Sequence, residues 1–271
     1  MWSRFADVGG LLTTMVRAGI IAPLRPDKYV RIAAAARRER LSMTSGVAMS
    51  AQRCPDRPAL IDELGALSYR QLDQRCDALA AGLQALPGGS PRIVAIMCRN
   101  HRGFVEALVA ANRIGADILL LNTSFAGPAL AEVVAREGAD AIIYDEEFTG
   151  SVDRALADRS HTTRVVAWTD HPESHDLTVD KLVATHTGQR PARPLRKGKL
   201  ILLTSGTTGT PKAPSVPAVV PVNSRRSWSV YRGAPRRRRW WWRRCFMLGV
   251  FAAGVRGIAG LHRCDPTQVR P

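Results

Sequence analysis

Short apolar runs alternate with helix-like segments along the middle of this 271-residue chain, and this alternation limits the folds available to it. Five runs of four or five residues contain no charged side chain. They are residues 93–97, 118–121, 141–144, 165–168 and 200–203. A continuous apolar run of this length is typical of a strand buried on both faces of a parallel sheet. The pattern therefore predicts an α/β fold, a mainly parallel sheet flanked by helices.

Helical periodicity occupies the segments between these runs. Ser68 is followed three residues later by Gln71, and this spacing predicts a capping box at the start of a helix. Leu72, Cys76, Leu79 and Leu83 then recur on one helical face. A short strand at 59–62 and a turn at 63–66 are predicted before this helix. Further helices are predicted over 104–111, 128–136, 152–157 and 179–184.

The N-terminal region and the cysteines indicate a protein of the cytoplasm. The first 24 residues lack the layout of a signal peptide. The five cysteines form no CxxC pair, which favours free thiols over disulfides or a metal site. The first 50 residues are predicted to form one or two amphipathic helices with a basic patch at Arg37, Arg38 and Arg40. That patch is interpreted as a solvated face, with membrane-surface association as the alternative.

Residues 204–212 have a composition suited to phosphate. They read Thr204, Ser205, Gly206, Thr207, Thr208, Gly209, Thr210, Pro211 and Lys212, directly after the run at 200–203. The two glycines let backbone amides approach a ligand closely, and the hydroxyls add donors. Lys212 supplies a compact positive charge. The spacing differs from the Walker pattern. We therefore predict a phosphate-binding loop here, against the alternative of a flexible linker.

Residues 203–212 resemble the signature of the adenylate-forming superfamily, which includes acyl-CoA synthetases, amino-acid adenylation domains and luciferases. The upstream segments 55–61, 67–73, 77–80, 94–100 and 111–122 are also similar to the start of these enzymes, and the resemblance covers about residues 45–212. In the general character of the sequence, the resemblance is strongest to bacterial fatty acyl-CoA synthetases. The resemblance implies ATP-dependent conversion of a carboxylic acid, a fatty acid here, to an acyl-adenylate and then to acyl-CoA.

The resemblance also implies ligands and contacts. ATP, Mg²⁺ and CoA are the expected cofactors. The β- and γ-phosphates of ATP are expected on the 204–212 loop, with Thr207, Thr208 and Lys212 as the leading contacts. A carboxylic acid is the expected partner, nucleic acid is disfavoured, and neither a transmembrane segment nor an oligomeric state is predicted.

The family pattern stops after Lys212. The sequence lacks a Tyr-Gly-x-Thr-Glu segment with its magnesium-binding glutamate, the Ser/Thr-Gly-Asp ribose motif, and the C-terminal catalytic lysine. No catalytic or metal-binding residue is therefore assigned, and the chain is predicted to be truncated and inactive alone. The predicted domains are a helical N-terminal extension (1–44), a partial AMP-binding domain (45–212) and an irregular tail (213–271).

The tail carries most of the positive charge. The whole chain has 39 basic and 23 acidic residues, a formal charge of +16. Residues 213–271 hold 12 arginines, no lysine and a single acidic residue, Asp265, hence +11. Arginine without lysine, a Trp240–Trp242 triplet and the sharp break favour out-of-frame translation of a GC-rich gene. The alternative is a non-enzymatic basic protein whose arginines and tryptophans bind nucleic acid or anionic membrane.

Three other features each allow two interpretations. His171 and His175 have metal-ligand spacing, but a loop is the preferred interpretation. Residues 145–147 form an acidic run after a predicted strand, interpreted as a solvated turn rather than a metal site. Residues 122–125 follow another predicted strand, at the edge where open α/β sheets bind ligands. A substrate-facing role and a capping turn are both compatible with them.

Overall fold

A computed structural model describes residues 25–40, 42, 44–125, 127–174, 177–203 and 215–217 of the chain. The helices are α1 Pro26–Arg38, α2 Ser45–Arg53, α3 Tyr69–Gln84, α4 Arg102–Arg113, α5 Gly127–Glu137, α6 Thr149–Ala155 and α7 Val179–Thr185. Two 3₁₀ turns span Glu146–Phe148 and Pro172–Ser174. The strands are β1 Pro58–Asp62, β2 Gly65–Ser68, β3 Ile93–Met97, β4 Asp117–Leu120, β5 Ala141–Asp145, β6 Thr163–Trp168, β7 Lys199–Leu202 and β8 Ser215–Pro217.

The main sheet has the strand order β6-β5-β3-β4-β7-β8. The five strands from β3 to β7 are all parallel, and β8 pairs antiparallel with β7. Each of the five predicted apolar runs forms one of these parallel strands, and the predicted α/β class is confirmed. The chain passes from β3 to β4 on one side and then crosses back to β5 on the other. The order of connection therefore reverses between β3 and β5.

Helices cover both faces of this sheet. Alternate side chains of each strand point to opposite faces, as the pleat requires. Val94 and Ile96 of β3 pack in a core beneath α3, α4 and α7. Ala95 and Met97 of the same strand pack in a second core beneath α5 and α6. Burial on both faces explains why the strands are continuously apolar in sequence.

The start of α3 confirms the predicted capping box. The Gln71 amide donates to Ser68 Oγ at 3.2 Å, and the Ser68 amide donates to Gln71 Oε1 at 2.8 Å. The predicted turn at 63–66 is shorter than expected, because Gly65–Ser68 forms β2 and pairs with β1 in an antiparallel hairpin. Within β2 only Leu67 is buried, so the strand carries little apolar signal.

A buried ion cluster connects α1 to the body of the domain. Arg113 at the end of α4, with a side chain only 3% exposed, contacts the carboxylates of Glu39, Asp73 and Asp77. Arg38 contacts the same three carboxylates. Burial raises the pKa of Asp77 even though both guanidinium groups oppose the shift. The predicted solvated face is therefore wrong for Arg38, which faces the domain, whereas Arg37 is exposed.

Candidate functional site

The carboxyl ends of β3, β4, β5, β6 and β7 meet at one edge of the sheet, where open α/β sheets bind ligands. Three predicted features lie along this edge or directly follow it in sequence. They are the phosphate loop after β7, the segment 122–125 after β4, and the acidic run 145–147 at the end of β5. The structure adds a cleft that the sequence did not reveal.

The predicted phosphate loop, residues 204–212, lies outside the described residues. The assignments of Thr204, Ser205, Gly206, Thr207, Thr208, Gly209, Thr210 and Lys212 therefore remain predictions. What the structure describes is the strand that leads to them. Ile118 pairs with Leu200 and Leu120 with Leu202, so β7 lies parallel to β4 and ends at the ligand-binding edge of the sheet.

Contacts at the start of β7 fix this strand against β4. Asp117 accepts the backbone amide of Lys199 at 2.7 Å and pairs with the Arg196 guanidinium at 2.6 Å. A Cβ atom on Gly198 would lie 1.8 Å from the carbonyl oxygen of Ala116, so only glycine allows the two backbones to approach this closely. The direction of β7, and thus the exit point of the chain, follows from these contacts.

The segment after β4 forms a local turn. Asn122 Oδ1 accepts a hydrogen bond from the Ser124 amide at 3.0 Å and another from Ser124 Oγ at 2.8 Å. A side chain that bonds to the backbone two residues ahead is the pattern of an Asx turn. The turn that the sequence allowed is therefore present, and a substrate-facing role for residues 122–125 stays a prediction.

A cleft of about 570 Å³ opens between the ends of β3, β5 and β6. It includes the position where the strand connection reverses, which is the site that an open α/β sheet offers to a ligand. Its lining comes from the three strand ends and from the β1–β2 hairpin. The lining residues are Ile61, Asp62, Glu63, Arg99, Asn100, His101, Asp145, Glu146, Glu147, Trp168, Thr169 and Asp170.

His101 and Asp145 form the floor of the cleft. His101 Nδ1 accepts the Gly103 amide at 3.1 Å, so Nε2 carries the hydrogen and donates to Asp145 Oδ1 at 2.9 Å. The backbone amide of Arg99 donates to the other oxygen, Asp145 Oδ2, at 2.6 Å. The His101 and Trp168 rings lie 4.7 Å apart. The interpretation of residues 145–147 as a solvated turn is wrong for Asp145, which is 3% exposed.

Two arginines neutralise further carboxylates around the cleft. Arg102 holds both oxygens of Asp62, and its backbone amide donates to Asp62 Oδ2 at 3.0 Å. Burial favours the neutral acid, but these hydrogen bonds outweigh it and lower the pKa of Asp62. Arg99 binds Glu147 through two contacts of 2.7 Å, and this hydrogen bonding lowers the pKa of Glu147.

The electrostatics of the cleft do not suit a phosphate. The amide groups at the N-terminus of a helix often bind anions, but at α4 the first two amides are bonded to Asp62 and His101. Six of the lining residues are acidic, against one arginine. Among the described residues no group of three or more His, Cys, Asp or Glu side chains is arranged to hold a metal. The described lining of the cleft therefore gives no support for phosphate binding there, and the ATP site stays a prediction for residues 204–212.

The sequence did carry one signal for this cleft. Residues 99–101, Asp145 and Trp168 each end or directly follow a predicted parallel strand, and the carboxyl ends of such strands share one edge. What the sequence lacked was the strand order. Only the order β6-β5-β3 brings these three positions together.

The fold places the chain in the class of doubly wound α/β proteins, and the comparisons with known proteins then identify its family. The pattern of the AMP-binding enzyme family matches residues 47–241. The chain belongs to this family, and the match includes residues 213–241 of the predicted tail.

Two curated relatives come from Mycobacterium tuberculosis strain H37Rv. A 3-[(3aS,4S,7aS)-7a-methyl-1,5-dioxo-octahydro-1H-inden-4-yl]propanoyl:CoA ligase is 30% identical over 58% of this chain and 32% of its own length. A salicyl-AMP ligase / salicyl-S-ArCP synthetase is 29% identical over 70% of this chain and 35% of its own length. The chain thus spans about a third of the length of these relatives.

Solved structures show the same fold. A benzoate CoA ligase from Burkholderia xenovorans LB400 superposes with a TM-score of 0.55 over 65% of this chain and 34% of that chain, at 16% identity. At this identity the similarity supports the fold alone.

Proposed function

We propose that this chain carries the ATP-phosphate-binding part of an enzyme that activates a carboxylic acid, in our assignment a fatty acid, as its CoA thioester. In the first step a carboxylate oxygen attacks the α-phosphorus of ATP, and pyrophosphate leaves. In the second step the CoA sulfur attacks the acyl carbon, the thiol proton is lost and AMP leaves. The 204–212 loop is assigned to the β- and γ-phosphates.

The observation that carries this proposal is the course of β7. A buried parallel strand, fixed to β4, ends at the ligand-binding edge two residues before Thr204. The residues that follow supply five hydroxyls, two glycines and Lys212 within nine positions. Hydroxyls, close amides and one ammonium group stabilise the charge that develops on pyrophosphate as it leaves. The alternative edge site, the cleft, presents carboxylates instead.

The acid is proposed on general similarity of sequence to fatty acyl-CoA synthetases. The named substrates of the two relatives, an alicyclic propanoic acid and salicylic acid, support a carboxylic acid as the substrate class. Any assay of substrate class therefore has to offer fatty, alicyclic and aromatic acids side by side.

CoA and Mg²⁺ belong to the proposal as family cofactors. Mg²⁺ would neutralise phosphate charge when bound, but the described residues offer no fitting ligand cluster, so we assign no residue to it. We also propose a cytoplasmic location. It is supported by Cys54, Cys76 and Cys98, which are free thiols in the described part of the chain.

The proposal predicts that the 271-residue chain binds ATP through Lys212. Lys212→Ala should raise the Kd for ATP by about ten- to a hundredfold, because a charge-assisted hydrogen bond to phosphate is lost. Lys197→Ala is the matched control, since Lys197 is an exposed lysine just before β7. Isothermal titration with ATP measures both variants. Equal affinity of the two variants, or absence of ATP binding by the wild-type chain, would contradict the assignment.

A further inference from the structure

The outward side of α1 has an unusual composition for an exposed helix face. Pro26, Tyr29, Val30, Ala33, Ala34 and Arg37 lie at helical spacing and are all exposed. Val30 is 69% exposed and Tyr29 42%. We call these six residues the α1 outer face. Five of the six are apolar or aromatic, so the face presents a nonpolar stripe rather than the polar surface that a solvated helix shows.

The opposite side of α1 holds the helix to the domain. Ala35 is buried there, and Glu39, directly after the helix, enters the ion cluster through Arg113 Nε at 3.0 Å. On the same side Lys28 Nζ donates to the carbonyl oxygen of Arg53 at 3.2 Å. These contacts fix the rotation of α1 about its axis. The apolar stripe is therefore held outward by the rest of the domain.

Positive charge lies beside the stripe and within it. Arg25 and Arg31 flank the stripe, Arg37 belongs to it, and all three are exposed, whereas Asp27 is the one acidic residue of α1. Asp27 lies 3.8 Å from Arg25 and 3.6 Å from Arg31, which leaves a net positive border. An apolar stripe with cationic borders is the pattern of a helix that lies in the headgroup region of an anionic bilayer. A nucleic acid would match the charge but not the stripe.

We propose that the α1 outer face docks the protein on an anionic membrane surface. The helix has 13 residues and would lie flat over about 20 Å, with Val30 and the two alanines toward the acyl chains. Its arginines would then lie level with the lipid phosphates. No helix among the described residues is long and apolar enough to cross a membrane. This proposal is independent of ATP binding.

Flotation of the full 271-residue chain with lipid vesicles tests the proposal. Phosphatidylcholine vesicles with and without phosphatidylglycerol are compared at physiological ionic strength. Val30→Glu and Arg37→Glu alter the outer face. Leu195→Glu and Arg193→Glu make the same chemical changes at exposed loop positions, where Leu195 is 99% exposed. Because residues 213–271 are also strongly basic, each variant is compared with its matched control in the same full chain.

We expect wild-type chain to float only with the phosphatidylglycerol vesicles. Arg37→Glu should reduce the partition coefficient by at least about fivefold, the effect of one basic residue near the lipid surface. Val30→Glu should reduce it by about tenfold, because apolar contact is lost and a negative charge is added. The two control variants should stay within about twofold of wild type.

Three results would overturn the proposal. The first is wild-type chain that does not float with anionic vesicles. The second is equal flotation of Val30→Glu and Leu195→Glu, which would assign membrane binding to another part of the chain. The third is a wild-type dimer, detected by light scattering, that Val30→Glu converts to monomer while flotation is unchanged. That result would make a second copy of the chain the occupant of the face.

Discussion

At the scale of single residues, Arg113 connects parts of the sequence that lie far apart. Its guanidinium meets Asp77, Asp73 and Glu39, which precede it by 36, 40 and 74 residues. Arginine presents five donors in a fixed planar fork, and this lets one side chain serve several carboxylates. A lysine at this position could not hold the same geometry.

Replacement of this arginine tests how much the ion cluster stabilises the fold. Arg113→Ala leaves three buried carboxylates with too little counter-charge, and we expect the free energy of unfolding to fall by about 3–5 kcal/mol. Arg70→Ala is the control, because its pair with Asp56 is exposed, at 55% and 82% of the two side chains. In this control the free energy of unfolding should fall by less than about 1 kcal/mol. Urea unfolding followed by circular dichroism compares the two variants. Similar losses in the free energy of unfolding would argue against a special role for the ion cluster.

Residue roles were predictable where the partners are close in sequence. The Ser68 and Gln71 cap was predicted because both its hydrogen bonds span three residues. The burial of Asp145 and its hydrogen bond to His101, 44 residues away, were not predicted. The sequence shows an acidic run there, and its composition alone favours solvent. Only the pairing of β3 with β5 brings the two residues together.

At the scale of elements, the contact between the starts of β4 and β7 is made backbone to backbone. Gly198 lies against the Ala116 carbonyl, and Gly115 adopts a φ of +75° beside the carbonyl oxygen of Arg196. A side chain at either position would separate the strands. The exit of β7 toward the 204–212 loop therefore depends on residues that contribute no side chain of their own.

A single added methyl group should disturb this contact. Gly198→Ala places a Cβ against a backbone carbonyl that cannot move freely, and we expect it to lower the free energy of unfolding by about 1–3 kcal/mol. Gly150→Ala is the control, because nothing lies within 4 Å of the added Cβ in α6. That substitution should be neutral or stabilise the fold by up to about 1 kcal/mol. Equal urea midpoints for Gly198→Ala and Gly150→Ala would show that the backbones of β4 and β7 can move apart to accept the added methyl group.

The elements themselves were largely predictable. The five parallel strands are buried on both faces, so each one is a run of apolar residues in the sequence. The strand β2 was missed because it lies at the surface, where Leu67 is the one buried residue of the strand. The order of the strands in the sheet could not be predicted from the sequence, because every parallel strand is the same kind of apolar run.

At the scale of the whole molecule, the sequence holds the proposed phosphate loop but lacks the family's magnesium, ribose and lysine motifs within its 271 residues. We therefore predict that this chain alone catalyses no acid-dependent exchange of labelled pyrophosphate into ATP. The assay offers palmitate, an alicyclic propanoate and salicylate in parallel, with a full-length acid-CoA ligase as positive control. Exchange with any acid would contradict the prediction of inactivity and would identify the substrate class directly.

The order in which the sheet can assemble follows from its pairing. The pairs β3–β4 and β5–β6 each join strands that are close in sequence. In the β4–β7 pair, by contrast, Ile118 pairs with Leu200, which lies 82 residues further along the chain. Closing such a long stretch costs more entropy, so contacts of this kind tend to form late. During synthesis β7 is also the last of the five described parallel strands to leave the ribosome. On the proposed function, nucleotide binding is acquired late in folding, and it serves as a kinetic marker that the five described parallel strands have assembled.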